Sequence, residues 1–341
     1  MSASEQEELL GWWRGFAQSG ELPSCFERVQ GRLIRAVHRA PLAGGEVFVK
    51  TMTFPRAKDR LRYLFRALPA QHEAAMLRAT AAAGVPCPEV VAAFRGRRLG
   101  LPHRSMLVLR ALPVVAEVVD DAATRVADEV AVAMRLLAAG IHHDDLHGEN
   151  FVRLQSGELA VLDLQSAQQY EPGSNNAGRR RMAVATRMLR DREGPEQDAA
   201  IAAMRAHGML RAEAEVAHAL RVSARLRARY DRSRVHRCLR TSTEFVRRLT
   251  LSGVRYERRG RDPGGRWLRG GAVLRDAWLG QRVRQLRGAA TQPFGAYFRK
   301  WWWLGGGSAL YVSRQCSDAE IEVEVQEAAA AARAWRDEAL A

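Results

Sequence analysis

The chain has 341 residues, an apolar share of 47%, a charged share of 27% and a formal net charge of +15. It is about twice as long as a typical domain, so we expect two or three lobes, and its composition excludes a disordered chain. No apolar run approaches the roughly 20 residues that cross a bilayer as a helix, so we expect no transmembrane segment.

The N-terminus and the cysteines indicate a compartment. Residues 1–8 are acidic where a signal peptide is basic, and no apolar stretch follows them. The four cysteines form no CxxC pair, so the sequence favours neither a metal cluster nor a redox site and fits a reducing environment. We therefore expect a cytoplasmic protein.

Arginine supplies most of the positive charge, because only Lys50, Lys58 and Lys300 among the 53 basic residues are lysines. At pH 7 such a chain attracts phosphates, nucleic acid or an anionic membrane surface. Solvated arginine faces with no role beyond solubility are the alternative interpretation.

The first third of the chain predicts a short helix and then a twisted antiparallel sheet with one inserted helix. A Gly44-Gly45 turn separates two strand patterns, Pro69 suits a first helical turn, and Gly84 suits the position after a helix end. The predicted helices span residues 9–17 and 69–83, and the predicted strands span 32–38, 46–50, 90–94 and 105–109.

The remaining chain predicts helices joined by short hairpins and then a small α+β extension. Asp120 to Ala139 has apolar residues at helical spacing and is followed by Gly140. We expect a helix over 120–139, a polar loop over 141–150, a hairpin of 151–154 with 159–164, helical structure over 179–229, a strand over 254–258, a helix over 272–286, a Trp-rich hairpin across 305–307 and a last helix from 317.

The segment His142-His-Asp-Asp-Leu-His-Gly-Glu-Asn150 is the most informative in the chain. It reads H-x-D-x-x-x-x-N from His143, through Asp145, to Asn150, and Asp163 follows at the end of the next hairpin. Phosphoryl transfer needs a carboxylate that orients or deprotonates the attacking hydroxyl, and oxygen ligands for Mg²⁺ on the nucleotide phosphates. Each residue alone could instead cap or turn the chain. Together they predict the catalytic loop and metal aspartate of a kinase.

Two upstream residues fit the same reaction. Lys50 ends the strand Glu46-Val-Phe-Val-Lys50, and Glu73 lies in the helix that follows. An ammonium held by a helix carboxylate is the group that grips the α- and β-phosphates in kinases. Exposed residues without this role are the alternative for both, because both residue types favour solvent.

These segments resemble the protein-kinase-like fold, and within it the lipopolysaccharide core kinases, the heptose and Kdo kinase family. The resemblance covers about residues 30 to 240, and its most specific part is the loop at 143–150. The other matching pieces are 46–50, 71–78, 83–88, 104–109 and 162–165.

The resemblance implies ATP and Mg²⁺ as cofactors and a role for each matching residue. Asp145, His143 and Lys50 would be the catalytic set, with His143 orienting the loop backbone. The implied metal ligands are Asn150 and Asp163. The implied nucleotide-binding residues are Lys50, Glu73, Leu109 and Ala111, of which the last two lie in the hinge that offers backbone groups to adenine.

The chain also departs from the protein-kinase pattern. No G-x-G-x-x-G precedes Lys50, where only Gly31 and the turn glycines are available, and the metal motif reads Asp163-Leu-Gln165. No obvious activation loop follows Asp163. These departures favour a small-molecule or glycolipid kinase over a regulated protein kinase, and the intact carboxylates argue against a pseudokinase.

We therefore predict an α+β, bilobal protein-kinase-like fold with a small antiparallel N-lobe sheet, a helical C-lobe and a C-terminal α+β extension. The predicted domains are an N-terminal helical segment (1–28), an N-lobe (29–112), a C-lobe (113–240) and an extension (241–341). The predicted function is ATP-dependent phosphorylation of a sugar hydroxyl of the lipopolysaccharide inner core, a heptose or Kdo. The alternatives are a kinase of another small molecule or of protein Ser/Thr, and a basic nucleic-acid or scaffold protein without catalysis.

Arg299-Lys300-Trp301-Trp302-Trp303 joins cations to three consecutive indoles. Trp favours the bilayer interface, and neighbouring cations attract anionic headgroups. The expected partner is a core glycolipid or related anionic sugar, with a peripheral contact to the inner membrane and no specific nucleic acid. Packing of alternate Trp side chains beneath a strand is the competing interpretation of this segment.

Overall fold

The structure is a computed structural model that describes residues 2–31, 34–55, 57–115, 121–242, 244–260, 264–289, 294–301, 303, 306–312 and 317–338. It divides into two compact units, Met1–Ala224 and Arg225–Ala341. Both units combine helices with antiparallel sheets, which confirms the α+β class. Within the described residues no helix has the length and apolar character needed to span a bilayer.

The N-terminal helix α1 (Ala3–Ser19) is longer than predicted because a capping box fixes its start. The Ser2 hydroxyl accepts from the Glu5 N–H, and the Glu5 carboxylate accepts from the Ser2 N–H. Leu9 and Phe16 of α1 pack into a buried cluster on one face of the first sheet.

The first unit contains a five-stranded antiparallel sheet of order β1-β2-β3-β5-β4. Its strands are β1 (Glu27–Gly31), β2 (Arg35–Leu42), β3 (Gly45–Thr53), β4 (Val90–Arg98) and β5 (Leu101–Arg110). The predicted hairpin is confirmed, with Gly45 at φ 117 in its turn. The strand predicted from residue 32 begins at Arg35, and residues 32 and 33 lie outside the described residues. The sequence did not predict β1.

Two helices follow β3. They are α2 (Ala57–Arg62) and α3 (Pro69–Ala82). The prediction of α3 is confirmed, with Pro69 in its first turn and Gly84 just beyond it at φ 69. Ala74 and Leu77 of α3 share a buried cluster with Leu107 of β5, so α3 covers the sheet face opposite to α1.

The rest of the first unit is mainly helical. Its elements are α4 (Ala122–Ala138), β6 (Ile141–His143), β7 (Phe151–Arg153), β8 (Leu159–Val161), β9 (Ala167–Gln169), α5 (Ala177–Arg190), α6 (Gly194–Ala206) and the first half of α7 (Glu213–Val235), whose later residues are counted with the second unit. The predicted α4 and the β7–β8 hairpin are confirmed, although residue 120 lies outside the described residues. The predicted helical stretch forms three helices, because Gly194 (φ 53) and Gly208 (φ 70) interrupt it.

The prediction of a loop over residues 141–150 is wrong for its first three residues. Ile141, His142 and His143 form β6, which pairs with β9 and is buried along its whole length. The two histidines give the segment a polar composition that hides a buried strand. This pairing fixes the start of the segment that carries Asp145.

The second unit contains another five-stranded antiparallel sheet, of order β10-β11-β13-β14-β12. Its elements are β10 (Phe245–Thr250), β11 (Gly253–Arg258), β12 (Arg266–Gly270), α8 (Val273–Leu286), β13 (Phe294–Lys300), β14 (Ser308–Val312) and α9 (Asp318–Glu338). Residues of the sheet and of both helices form one buried core. A Cβ on Gly280 would lie 1.6 Å from the Ala328 carbonyl oxygen, so this glycine permits the close approach of α8 and α9.

The strand, the two helices and the hairpin predicted for this region are confirmed. The hairpin is formed by β13 and β14, but Trp301 comes just after β13, and Trp302 lies outside the described residues. The sequence did not predict β10 and β12.

Candidate active site

A cleft of about 790 Å³ in the first unit lies against the face of the sheet that carries α3. Its volume falls in the range of about 300–1,000 Å³ that is usual for small-molecule sites. Of the predicted site residues, those that line it are Lys50, Glu73, Leu109, His143, Asp145, Asn150 and Asp163. The cleft therefore brings together side chains that are up to 113 positions apart in the sequence (163 − 50).

Strand alternation places Lys50 in the cleft. Val47 and Val49 of β3 are buried on the α1 side, so Phe48 and Lys50 face the other way and line the cleft. The Lys50 Nζ lies 2.5 Å from the Glu73 Oε1.

Glu73 depends on Lys50 for its compensating charge. Its side chain is only 1% exposed, and its second oxygen, Oε2, is buried without a hydrogen-bond partner among the described residues. The Lys50 Nζ also lies 3.9 Å from the Asp163 Oδ1. A single ammonium thus connects strand β3, helix α3 and the segment after β8.

His143 joins the backbone of the segments that carry Asp145 and Asp163. Its Nδ1 accepts from the Asp145 N–H at 3.1 Å, so its Nε2 carries the proton and donates to the Asp163 carbonyl oxygen at 3.0 Å. Burial lowers the pKa of His143, although the nearby Asp163 carbonyl and carboxylates oppose the shift. The neutral ring is the form that fits these two hydrogen bonds.

Asn150 closes the loop from its other end. Its Nδ2 donates to the Asp145 carbonyl oxygen at 2.6 Å, and its own carbonyl oxygen accepts from the Leu162 N–H at 2.7 Å. Asp145 is therefore held by hydrogen bonds to its N–H and its carbonyl, while its side chain is 59% exposed to the cleft. Fixed backbone and an accessible carboxylate suit a group that meets a substrate.

Asp163 adopts a left-handed conformation, with φ 52 and ψ 60. β8 ends at Val161, so Asp163 lies two residues beyond the strand that was predicted to contain it. This conformation is unfavourable for a residue with a Cβ and is concentrated at functional sites.

The amide of Asn150 and the carboxylate of Asp163 are the oxygen donors that Mg²⁺ accepts from proteins, where it also keeps phosphate and water ligands. No group of three or more His, Cys, Asp or Glu side chains arranged for a metal occurs within the described ranges. The amide of Asn150 and the carboxylate of Asp163 are chemically suited to a cation that phosphate and water oxygens also hold.

A comparison with protein-family models places most of these residues within one family. The description "Lipopolysaccharide kinase (Kdo/WaaP) family" matches residues 24–201, slightly more than half of the chain. The chain belongs to this family. The predicted family and the predicted kinase activity are both confirmed by this match.

The comparison with curated proteins found no match. A solved structure described as "WaaP in complex with acyl carrier protein" is similar, with 19% sequence identity and a TM-score of 0.42. The similarity covers 59% of this chain and 88% of that chain.

The segment that the resemblance implies as a hinge in this lipopolysaccharide kinase has fewer free backbone groups than expected. Leu109 lines the cleft, but the Ala111 N–H donates to the Glu46 carbonyl oxygen at 2.9 Å. The Arg110 N–H is likewise engaged by the Glu89 carbonyl. Ala111 can therefore offer a nucleotide its carbonyl oxygen but not its N–H.

An arginine at the start of β2 adds positive charge to the cleft. Arg35, at the start of β2, lines the cleft, and its guanidinium donates to the Gln165 Oε1 at 2.7 Å. Gln165 lies two residues after Asp163, so Arg35 joins β2 to the segment of the predicted metal aspartate. Sequence reasoning missed Arg35, because nothing distinguishes it from the other arginines of the chain.

Arg190 is a second arginine that the sequence did not single out. It is buried at the end of α5, and a guanidinium nitrogen lies 3.6 Å from the Asp145 Oδ1. Its Nε and a second guanidinium nitrogen donate to Asp191, at 2.9 and 2.5 Å from the nearest carboxylate oxygens. A buried guanidinium in this position can orient the Asp145 carboxylate.

A buried ion pair lies next to the end of α5 and to the loop that carries Asp145. Arg192 pairs with Glu129 of α4 and donates to the Met188 carbonyl oxygen, and the Arg125 Nε lies 3.2 Å from the other Glu129 oxygen. A Cβ on Gly148 would lie 3.6 Å from Glu129, so the loop passes directly over this pair. The pair anchors the end of α5 and hence Arg190 beneath the loop that carries Asp145.

Proposed function

We propose that this chain transfers the γ-phosphoryl group of ATP to a sugar hydroxyl of the lipopolysaccharide inner core, on a heptose or Kdo unit. The supporting observation is that Lys50, Asp145, Asn150 and Asp163 line one cleft in a member of the lipopolysaccharide kinase family. In the proposed bilobal arrangement, the N-lobe comprises residues 29–112 and the C-lobe begins at residue 113.

Asp145 is the proposed catalytic residue. Its exposed carboxylate accepts a hydrogen bond from the acceptor hydroxyl and takes up its proton as the oxygen attacks the γ-phosphorus. The new bond joins the sugar oxygen to phosphorus, and the bond between the γ-phosphorus and the bridging oxygen breaks, so that ADP leaves.

Lys50, Glu73 and Arg35 form the proposed phosphate-binding part of the site. The Lys50 ammonium, held at 2.5 Å by Glu73, binds the α- and β-phosphates. Arg35 supplies positive charge at the cleft where other kinases use backbone N–H groups of a glycine-rich loop. Leu109 provides apolar contact for the adenine ring.

Asn150 and Asp163 are the proposed ligands of Mg²⁺, which neutralises charge on the phosphate oxygens when it is bound. The His143 ring forms hydrogen bonds with the backbone of Asp145 and of Asp163, and these bonds keep the two segments at a fixed separation. His143 and Arg190 are therefore positioning residues in this proposal.

The proposed acceptor is anchored in a membrane, so we place the reaction at the cytoplasmic face of the inner membrane, where ATP is available. The N-terminal segment (1–28) and the C-terminal extension (241–341) precede and follow the proposed catalytic lobes in the sequence, and the extension is proposed to contribute the membrane contact. The high arginine content supports attraction to an anionic glycolipid and its surroundings.

An acceptor screen tests this function. The full chain is incubated with Mg²⁺ and γ-labelled ATP in the presence of core glycolipids, deacylated core oligosaccharides, aminoglycosides or generic proteins. We expect label on the core acceptors, with none after Asp145→Asn. Stronger labelling of an aminoglycoside or a protein would show that the kinase has a different acceptor. Salt-sensitive DNA binding without any ATP turnover would show that the chain is a nucleic-acid-binding protein and not a kinase.

A further inference from the structure

One end of the second sheet joins two segments that are about 50 residues apart. The Trp301 N–H donates to the Ser252 carbonyl oxygen at 3.1 Å, and the Trp301 indole N–H donates to the Thr250 carbonyl oxygen at 3.2 Å. The Gly253–Lys300 pair ends the β11–β13 ladder at the same place. We call residues 248–252, 299–301 and 303 the sheet tip.

Large apolar side chains of the sheet tip face solvent. Leu251 in the β10–β11 turn is 99% exposed, Leu249 is 68% exposed, and Trp303 is 59% exposed. The ring of Trp303 stacks on that of Trp301 at 4.9 Å between centroids, with 8° between the planes. Soluble proteins rarely group exposed large apolar side chains at one end of a sheet unless the surface contacts a partner.

Cations surround these side chains. Arg247, Arg248, Arg299 and Lys300 are all exposed. The sequence has no Asp or Glu within residues 245–256 or 294–310, and the nearest acidic side chain on these strands is Glu257, 3.3 Å from the Arg248 Nε. The sheet tip is therefore apolar at its turn and positive around it.

We propose that the sheet tip docks on an anionic phospholipid bilayer. In the docked state Leu249, Leu251 and Trp303 enter the boundary between headgroups and acyl chains, and the surrounding cations meet the phosphates. A nucleic acid would leave two leucines without a suitable contact, whereas a bilayer offers both an anionic surface and an apolar layer beneath it. Docking on a bilayer would bring the chain to the membrane face at which the proposed reaction takes place, and its biological role rests on that proposed function. The exposed apolar and basic side chains belong to the second unit alone, so bilayer binding can be tested independently of the kinase activity.

Vesicle sedimentation of the full chain tests the inference. We expect partition onto vesicles of phosphatidylcholine with phosphatidylglycerol to be at least about tenfold stronger than onto phosphatidylcholine alone, and to weaken with salt. Leu251→Ser with Trp303→Ser should lower this partition about tenfold or more, because both side chains lose the apolar layer. Arg299→Gln with Lys300→Gln should reduce the preference for phosphatidylglycerol.

Leu99→Ser is the matched control. Leu99 is 96% exposed in the β4–β5 turn, next to the exposed Arg97 and Arg98, but it belongs to the first sheet and not to the sheet tip. We expect its partition to equal that of the wild type. Unchanged thermal unfolding of all variants excludes loss of fold as the cause of a difference.

Three results of the vesicle experiment would contradict docking on an anionic bilayer. Absence of vesicle binding, equal binding to both vesicle types, or an equal loss in Leu99→Ser would overturn the proposal. DNA binding that excludes vesicles and survives Leu251→Ser would assign the surface to nucleic acid instead. Phosphorylation of a deacylated, soluble acceptor should be the same in the sheet-tip variants, so a failed docking surface and a failed kinase assignment give different results.

Discussion

The two five-stranded sheets use their cations in opposite ways. In the first, the Lys50 ammonium points into a cleft and is held by the buried Glu73 carboxylate. In the second, Arg299 and Lys300 lie exposed at the end of the sheet. A buried carboxylate needs a cation beside it, because a buried charge without a partner costs several kcal/mol. An exposed charge needs no such partner and attracts oppositely charged molecules over about 10 Å.

The difference separates two kinds of function in one chain. Paired charges of fixed geometry suit a chemical step, which needs groups held at defined distances. Exposed charges beside exposed apolar residues suit a surface contact that tolerates movement. The following variants test each side of this contrast, beginning with the largest expected effect.

Loss of the Asp145 carboxylate should be the most damaging change. We expect Asp145→Asn to lower kcat by about 10²–10⁴-fold, the usual contribution of a positioned general base, while ATP binding is retained. Asp144→Asn is the control, because the neighbouring Asp144 bonds to His142 at 2.9 Å and does not line the cleft. Similar kcat values for Asp145→Asn and Asp144→Asn would show that Asp145 is not the catalytic base.

Loss of Lys50 should reduce stability as well as activity. Lys50→Met leaves Glu73 buried without its partner, which costs about 3–5 kcal/mol in comparable sites. Urea unfolding should show this loss, and the double variant Lys50→Met/Glu73→Gln should recover most of the stability but no activity. An unfolding free energy of Lys50→Met equal to that of the wild type would show that Glu73 does not need Lys50 to offset a buried negative charge.

Arg190 should affect turnover more than nucleotide binding. We expect Arg190→Ala to lower kcat about tenfold, equivalent to about 1.4 kcal/mol, with an unchanged KM for ATP and partial rescue by Arg190→Lys. The control is Arg181→Ala on the same helix, since Arg181 bonds to Glu215 and to the Gly208 and Met209 carbonyls. Its loss should lower stability only, and an equal kcat effect in both variants would deny Arg190 its positioning role.

The smallest expected effect concerns the pH dependence of His143. Burial holds its pKa below the ordinary value of 6.5, so the unfolded chain binds a proton first as the pH falls. The stabilising contribution of the neutral ring is complete above pH 6.5 and is lost as the pH falls toward the lower pKa of the folded state. Unfolding free energies of wild type and His143→Gln between pH 7.5 and pH 5, a span of about 2.5 units, should show a smaller slope in the variant.

The half-buried histidines His38 and His103, whose pKa values are also lowered by desolvation, remain in both proteins and cancel in the comparison. Identical slopes would mean that the ring of His143 is not held neutral by its environment.

Short-range spacing made the centre of the site predictable. His143, Asp145 and Asn150 lie within eight positions, and the hairpin that follows places Asp163 beside them. Lys50 was predictable because strand alternation determines its face and because lysine is rare in this chain. The conformation of Asp163 was not, since its left-handed backbone arises only when the loop and the hairpin pack together.

The supporting residues escaped prediction because they meet only in three dimensions. Arg192 and Glu129 are 63 positions apart, and each alone resembles an ordinary exposed helix residue. β6 was missed because the side chains of His142 and His143 are polar but buried. In the second unit, Leu251 gave no signal in the sequence, because a single leucine in a turn is common and the hydrogen bonds that join this turn to Trp301 form only in the folded sheet.

The most direct test of the central claim is the mass of a deacylated core oligosaccharide after incubation with MgATP and the full chain. We predict that the wild type adds one phosphoryl group to the acceptor and that Asp145→Asn, in an incubation just long enough for the wild type to finish, leaves nearly all of the acceptor at its original mass. An unchanged acceptor mass with the wild type, under conditions in which ATP binds, would contradict the assignment of this cleft as the active site of a lipopolysaccharide core kinase.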